Sequence, residues 1–280
     1  MTPDDVRRRR EAFIAACRLD VMVRKPGNVS VAAPGHGMRA EQFLDAARVA
    51  AGPLFEPGLA VGARIERAAA ASWQACGCNT NLGIVLLCAP LAAAAERARP
   101  PALAQAVAAV LASLTVDDAR AAYRAIAATQ PGGLGSAPAQ DVHSEPDIDL
   151  RSAMALAADR DAIARAYATD MRELFDAVRI LAPPPGYSLM ADPIDDAAHE
   201  HVQRVYLYWL ARQSDSHIVR KHGHAVAQTV MTAAQRWREV ARPGADPAFA
   251  AWDDALKAAG INPGTSADLT VATLLAADLS

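Results

Sequence analysis

The sequence has few aromatic residues and no apolar run long enough to span a membrane. Only 5% of its 280 residues are aromatic, and alternating β-branched segments are nearly missing, which argues against a β-sheet protein. The longest apolar run, residues 82–95, contains Pro90 and is too short to cross a bilayer. The N-terminus is too polar for a signal peptide. We therefore expect no membrane partner and a cytoplasmic location.

The sequence also has few cysteines and a small net charge. The formal net charge is -3, so the chain has no general attraction to nucleic acid. The arginine run at residues 7–10 follows two aspartates, and we interpret it as the solvated start of a helix. No spacing typical of a zinc site or a disulfide framework occurs among the cysteines, which are Cys17, Cys76, Cys78 and Cys88.

What the sequence does contain is helical spacing and much alanine, so we predict an all-α protein. One helix is expected from about Asp5 to Val23. A long helix is expected over residues 150–182, where one apolar stripe consists of Ile163, Tyr167, Met171, Leu174, Val178 and Leu181. Residues 80–97 are apolar all round, which predicts the central helix of a bundle. The Pro and Gly breakers are shorter than domain linkers, so residues 1–280 are predicted to form one multi-helix domain.

Two aspartates interrupt the predicted apolar stripes. Asp20 lies one turn after Ala16 and Cys17, and Asp159 lies one turn before Ile163. Both carboxylates are therefore predicted to point inward, where an unpaired charge is costly. Each belongs either to a functional site or to a buried salt bridge with Lys25, Arg160 or Arg220.

Lys25 is one of only three lysines among 28 basic residues, and it directly precedes Pro26 and Gly27. Its place before a rigid turn indicates either a site that needs a compact cation or a chance occurrence.

Four polar stretches follow breakers or precede predicted helices: "CGCNTNLG", "PGGLG", "SDSHIVRKHG" and "NPGTSADL". Asn79 and Thr80 are good capping residues, and a helix start also attracts phosphate. Each stretch is therefore either a cap or an anion site. The pairs His199/His201 and His222/His224 are too close in sequence to share a helix face and are not predicted as metal ligands.

These motifs resemble the triphosphoribosyl-dephospho-CoA synthase family when taken in order from about residue 13 to 279. The matching stretches are "KPGNV", Glu66 after Gly62, "NTNLG", "GGLG" followed by "DVH", "AADRDAIARAY", "DSHIVRKHG" and "NPGTSADL". The resemblance implies an all-helical transferase that uses ATP and Mg²⁺. In that reaction the 2′-hydroxyl of dephospho-CoA attacks the ribose C1′ of ATP, and adenine leaves.

Such a reaction needs carboxylates for Mg²⁺, cations for phosphates and a base for the attacking hydroxyl. The catalytic candidates are Asp20, Glu66, Asp159, His36 and His217, of which Asp20, Glu66 and Asp159 would also bind the metal. The substrate-binding or phosphate-binding candidates are Lys25, Asn28, Asn79, Thr80, Asn81, Gly83, Arg160, Asp215, Arg220, Lys221 and Ser266. The partner is expected to be a nucleotide or a phosphorylated cofactor precursor, and a homodimer is left open.

The chain also departs from the family pattern. Where the synthases read Asn-Thr-His-Lys-Gly, residues 79–83 read Asn-Thr-Asn-Leu-Gly, and the loop that keeps His36 and Met38 lacks the usual Asp. This form resembles a divergent branch from archaea and from methylotrophs that make methanopterin- and methanofuran-type one-carbon cofactors. The alternatives are therefore a transferase with a different acceptor in such a pathway, or a helical binding protein without catalytic activity.

Overall fold

The computed structural model describes residues 2–97, 102–129, 142 and 144–280, and in these residues it contains helices and no β-strand. The all-α prediction is confirmed. The helices are α1 Pro3–Met22, α2 Ala40–Leu54, α3 Val61–Cys76, α4 Leu82–Arg97, α5 Leu103–Ala112, α6 Val116–Thr129, α7 Leu150–Ala155, α8 Ala162–Ala168, α9 Arg172–Ile180, α10 Asp196–Arg212, α11 Ser216–His222, α12 His224–Arg238, α13 Pro247–Ala258 and α14 Gly264–Leu279.

The predicted first helix is α1, which begins slightly earlier than expected. Thr2 and Asp5 form a reciprocal capping box at its start, which satisfies amide groups that have no partner within the helix. Phe13, Cys17 and Asp20 are all buried on its inner face. The prediction that Asp20 points inward is therefore confirmed.

Helix α4 lies at the centre of the bundle, as its uniformly apolar sequence predicts. Every residue from Ile84 to Ala95 is buried, and the helix packs against α2, α3, α5, α8 and α14. A second helix, α14, is nearly as enclosed, because it packs against α1, α4, α9, α10 and α11. Among the described residues, no helix is both long and apolar enough to span a bilayer.

The prediction of one long helix over residues 150–182 is wrong, because the chain forms α7, α8 and α9 there. Asp161 ends the connection after α7, since its Oδ1 accepts hydrogen bonds from the N–H groups of Ile163 and Ala164 at the start of α8. Asp170 and Met171 adopt left-handed backbone angles, with φ of 57° and 54°, and these separate α8 from α9. The apolar stripe still faces the core, but three short helices carry it.

Candidate functional site

The candidate site lies where the N-terminal ends of α4, α8, α11 and α14 meet. The Ala162 N–H of α8 donates to Ser216 Oγ of α11 at 2.9 Å. The Ser266 N–H of α14 donates to Asp215 Oδ2, just before α11, at 2.7 Å. These bonds join the starts of three helices, and α4 packs against both α8 and α14. The structure thus brings together sequence stretches that are far apart in the chain.

Asp215 joins two of these helices with one buried carboxylate. Its Oδ1 accepts from the N–H groups of His217 and Ile218, and its Oδ2 accepts from the N–H and hydroxyl of Ser266. Burial raises the pKa of Asp215, and the hydrogen bonds from Ser266 and Ile218 and the charge of Arg220 oppose that rise. Asp215 and Ser266 therefore satisfy each other and act in the architecture of the site.

Lys25 holds Asp20, and this contact explains the isolated lysine of the sequence. Its Nζ donates to the Asp20 carbonyl oxygen at 2.6 Å and to Asn28 Oδ1 at 2.7 Å, and it lies 3.2 Å from Asp20 Oδ1. Burial raises the pKa of Asp20, and the charge and hydrogen bond of Lys25 oppose that rise.

Lys25 is fully buried, and an ammonium group has only three protons to donate. Two of these protons go to the Asp20 carbonyl oxygen and to Asn28 Oδ1, and the charge of Nζ is paired with Asp20 Oδ1. The buried salt bridge between Asp20 and Lys25 is thus confirmed, and the prediction that Lys25 binds phosphate does not fit this geometry. Asn28 is engaged as well, because its Nδ2 donates to Asn262 Oδ1 at 3.0 Å.

The start of α4 contains buried polar groups without partners. Asn79 Oδ1 accepts from the Leu82 N–H at 3.2 Å, so its capping role is confirmed. Thr80 and Asn81 are buried, yet Thr80 Oγ1 and Asn81 Nδ2 have no hydrogen-bond partner in the described structure. Buried polar groups normally have partners, so such atoms at a helix start indicate a place for a ligand.

Asp268 is the principal residue that the sequence reasoning missed as a site residue. A Cβ placed on Gly83 would lie 2.0 Å from Asp268 Oδ2, so the glycine lets this carboxylate approach the start of α4. Among the described residues Asp268 has no hydrogen bond or ion pair. Burial, with the nearby charges of Asp20 and Asp215, raises the pKa of Asp268 well above its usual range, and Arg220 opposes that rise.

Arg220 and His217 face the same region from α11. Arg220 pairs with Asp161 Oδ2 at 2.5 Å, and its Nε has no partner in the described structure. His217 Nε2 is also buried without a partner there. Burial, together with the charges of Lys221 and Arg220, lowers the pKa of His217 to about 3. The imidazole is therefore neutral at physiological pH.

Two other predicted residues, His36 and Lys221, lie at the margin of this region. His36 Nε2 donates to the Gly27 carbonyl oxygen at 2.8 Å, so it supports the turn that carries Lys25. Lys221 is exposed, and its charge contributes to the lowered pKa of His217. A surface lysine beside the site remains available to a phosphate.

Glu66 does not join Asp20. It forms a two-bond ion pair with Arg124 at 2.6 and 2.9 Å, which lowers the pKa of Glu66. Its near neighbour on α3, Arg64, pairs with Glu96 in the last turn of α4. Glu66 therefore lies toward the opposite end of α4 from the candidate site.

The inward orientation predicted for Asp159 is wrong as well. Asp159 and Arg160 are both exposed in the connection before α8, because the predicted long helix is interrupted there. Within the described residues no three His, Cys, Asp or Glu side chains are grouped as a metal site would need. The predicted metal set of Asp20, Glu66 and Asp159 is thus not assembled.

Two motif segments lie outside the described residues: "GGLG" at 132–135, and Asp141 and His143 of "DVH". The residues missed within the described part, Asp161 and Asp268, did leave a signal. Each is an aspartate at the start of a helix in a quoted motif, "RDAIA" or "TSADL". Their common location could not be read from one sequence, because it depends on how α4, α8 and α14 pack.

Comparisons with known proteins agree with this architecture. The CitG family model, ATP:dephospho-CoA triphosphoribosyl transferase, matches residues 6–280. No curated protein sequence matches the chain. Among solved structures, the chain is similar to a protein from Archaeoglobus fulgidus assigned as a triphosphoribosyl-dephospho-CoA synthase. The two have a TM-score of 0.66 at 20% identity, over 84% of this chain and 97% of the other. At this identity, the likeness concerns the fold.

Proposed function

Because the chain belongs to the ATP:dephospho-CoA triphosphoribosyl transferase family, we propose that the joined starts of α4, α8, α11 and α14 bind its ATP. One observation carries this proposal. Asp268, Asn81 Nδ2 and His217 Nε2 have no partners in the described structure, and Thr80 Oγ1 and Arg220 Nε beside them have none either. A bound nucleotide would supply the missing partners. Arg220 and exposed Lys221 are the cations suited to its phosphates.

The side chains at this site are suited to bind a divalent cation together with the triphosphate. Mg²⁺ is commonly bound by one or two carboxylates, with phosphate oxygens and water completing its shell. Asp268 has no partner in the described structure, and Lys25 is the cation that contacts Asp20. We assign these two carboxylates to Mg²⁺ in place of the predicted triad. When bound, Mg²⁺ would neutralise part of the triphosphate charge.

The transfer forms a bond between an acceptor hydroxyl oxygen and the ribose C1′ and breaks the bond between C1′ and adenine. The electron pair of that bond leaves with adenine, and the hydroxyl proton needs an acceptor. We propose His217 Nε2, which is unpartnered in the described structure, for this role. The charge of a bound triphosphate would raise the low pKa of His217 and make it a better base.

We further propose that the acceptor is a phosphorylated cofactor precursor other than dephospho-CoA. At the position of the family's His-Lys pair, Leu82 is buried in the apolar core and Asn81 is a buried neutral amide. Neither side chain can supply a cation or titrate near neutral pH. If the family's pair supplies an acid-base group for dephospho-CoA that His217 does not replace, its loss should lower that rate about 10² to 10⁴-fold, and we expect little adenine release with dephospho-CoA.

Thermal denaturation with ATP and Mg²⁺ tests the binding site. A ligand that binds only the folded state raises the Tm, and we expect this rise for the wild type and for Asp159→Asn, whose carboxylate is exposed. Asp268→Asn should fold normally and lose the rise. An equal rise in Asp268→Asn, or none in the wild type at millimolar ATP, would overturn the proposed site.

The acceptor is tested separately by adenine release from ATP and Mg²⁺ with dephospho-CoA. Little release beside a clear ATP-induced Tm rise supports a different acceptor. Robust release that His217→Ala abolishes would instead restore dephospho-CoA as the substrate.

A further inference from the structure

The backbone of the Lys25–Asn28 turn is held by residues from the C-terminal part of the chain. The Tyr206 hydroxyl of α10 donates to the Pro26 carbonyl oxygen at 2.7 Å. The Gly27 N–H donates to Asp253 Oδ1 of α13 at 2.9 Å. The turn is therefore attached to two helices, and neither Tyr206 nor Asp253 is among the groups proposed to contact ATP.

The turn also presses against the start of α14. Gly27 has a φ of +80°, and a Cβ on it would lie 2.7 Å from Pro263 Cδ and 2.8 Å from the Ile261 carbonyl oxygen. Only glycine fits both this backbone angle and this approach. Since α14 carries Asp268, the position of the turn fixes Lys25 and Asp20 relative to the unpaired carboxylate.

Asp253 is fully buried, and its charge is balanced without the turn. Lys257 Nζ lies 2.9 Å from its Oδ1 and 3.0 Å from its Oδ2, and Arg24 lies 3.7 Å from Oδ2. The same Lys257 Nζ donates to the Ala33 carbonyl oxygen at 2.8 Å. Lys257 thus links α13 to the loop at Ala33, and Arg24 links it to the segment just before the turn, whereas the bond to the Gly27 N–H reaches the backbone of the turn itself.

We infer that Asp253 is a positioning residue for the site: through the Gly27 N–H it fixes the turn that carries Lys25, and Lys25 fixes Asp20. This inference rests on the proposed function, because it takes Asp20 to face the bound nucleotide. A carboxylate displaced by about 1 Å can lose much of its effect in such a site.

Three full-length variants separate this hydrogen bond from the ion pair. Asp253→Ala removes both, Asp253→Asn keeps an oxygen that can accept from Gly27 but removes the charge, and Asp254→Asn alters an exposed neighbour. Both Asp253 variants should have a lower Tm, because both leave Lys257 without its carboxylate. Calorimetry with ATP and Mg²⁺ should show about tenfold weaker binding for Asp253→Ala and wild-type affinity, within about threefold, for the other two.

Amide hydrogen exchange without ligand is a second measurement, and it tests the position of the turn independently of the proposed function. We expect faster exchange over residues 19–31 in Asp253→Ala and near wild-type exchange there in Asp253→Asn. Unchanged exchange in Asp253→Ala, or affinities that follow the Tm instead of the hydrogen bond, would overturn the positioning role. If the wild type fails to bind ATP, the proposed function fails, and the exchange result still decides whether Asp253 holds the turn.

Discussion

The two ends of the central helix α4 both lie beside a buried cation and a carboxylate, yet they are built differently. At the C-terminal end, Arg64 is fully buried and donates to the carbonyl oxygens of Leu54 and Leu59 and to Glu96. Glu96 in turn accepts from the Gly58 N–H at 3.1 Å. The polar groups at this end satisfy one another.

At the N-terminal end the pairing is incomplete. Lys25 and Asp20 form a buried pair, but Asn81, His217 and Asp268 each keep an atom or a charge without a partner in the described structure. Unsatisfied buried groups lower stability, so their presence needs another reason. The comparison teaches that a buried ion pair alone does not mark a site, whereas the unpaired groups gathered beside one are what support the proposed site.

The largest expected effect is at the C-terminal end of α4, where the polar groups satisfy one another. Arg64→Met should lower the free energy of unfolding by about 3 to 5 kcal/mol, because it leaves Glu96 and two carbonyl oxygens without their donor. The control is Arg67→Met on the same helix, whose exposed pair with Glu56 is worth at most about 1 kcal/mol. Urea denaturation measures the free energy of unfolding of both variants. Similar losses of stability would show that the buried Arg64–Glu96 pair contributes no more than an exposed one.

A smaller effect is expected when a methyl group is added at the N-terminal end of α4. Gly83→Ala should destabilise the protein by about 2 kcal/mol, because the new methyl group collides chiefly with Asp268 and, at 2.9 Å, with the end of the Ile163 side chain. Most of that loss should disappear in the Gly83→Ala, Asp268→Ala double variant, which a double-mutant cycle would detect. Gly52→Ala in α2 is the control, since no atom lies within 4 Å of its added Cβ. Additive losses would mean that Asp268 does not approach α4 as described.

The smallest effect is a difference in pH dependence. The folded-state pKa of His217 is about 3, below the ordinary value of about 6.5 for an unfolded chain. The unfolded state therefore binds more protons between these values, and stability falls as pH falls through this window. Between pH 7 and pH 5 the wild type should lose about 1 to 2 kcal/mol more than His217→Asn. Equal losses would show that His217 is not held neutral by burial.

The parts of the fold that follow from local pattern were predictable. The uniformly apolar run at 82–95 identifies a helix that needs cover on every side, and the structure surrounds α4 with five others. The break between α8 and α9 was not predictable in the same way. Asp170 and Met171 adopt left-handed angles that few non-glycine residues favour, and the stripe continues across them.

Only part of the candidate site could be predicted from the sequence. The inward position of Asp20 follows from the spacing of its own helix, and the contact with Lys25 needs only one short turn. Asp268 is different, because its importance depends on the approach of α14 to Gly83 of α4. Glu66 has the carboxylate that a metal ligand needs, but Arg124 from α6 binds it, and this contact between two helices is not visible in the sequence.

The Lys25 turn contacts α10, α13 and α14, and these contacts determine when the candidate site can form during synthesis. A nascent chain that has just left the ribosome with Asp20 and Lys25 in place still lacks Tyr206, Asp253 and Asp268, which come roughly 180 to 250 residues later. Because synthesis adds about 5 to 20 residues per second, the early part of the chain spends on the order of ten seconds or more without them. During that interval Lys25 and Asp20 lack the helices that bury them, and the proposed nucleotide site is incomplete. If nucleotide binds there, it can stabilise the fold only after α14 has docked, and a chain cut before α14 would lack Asp268.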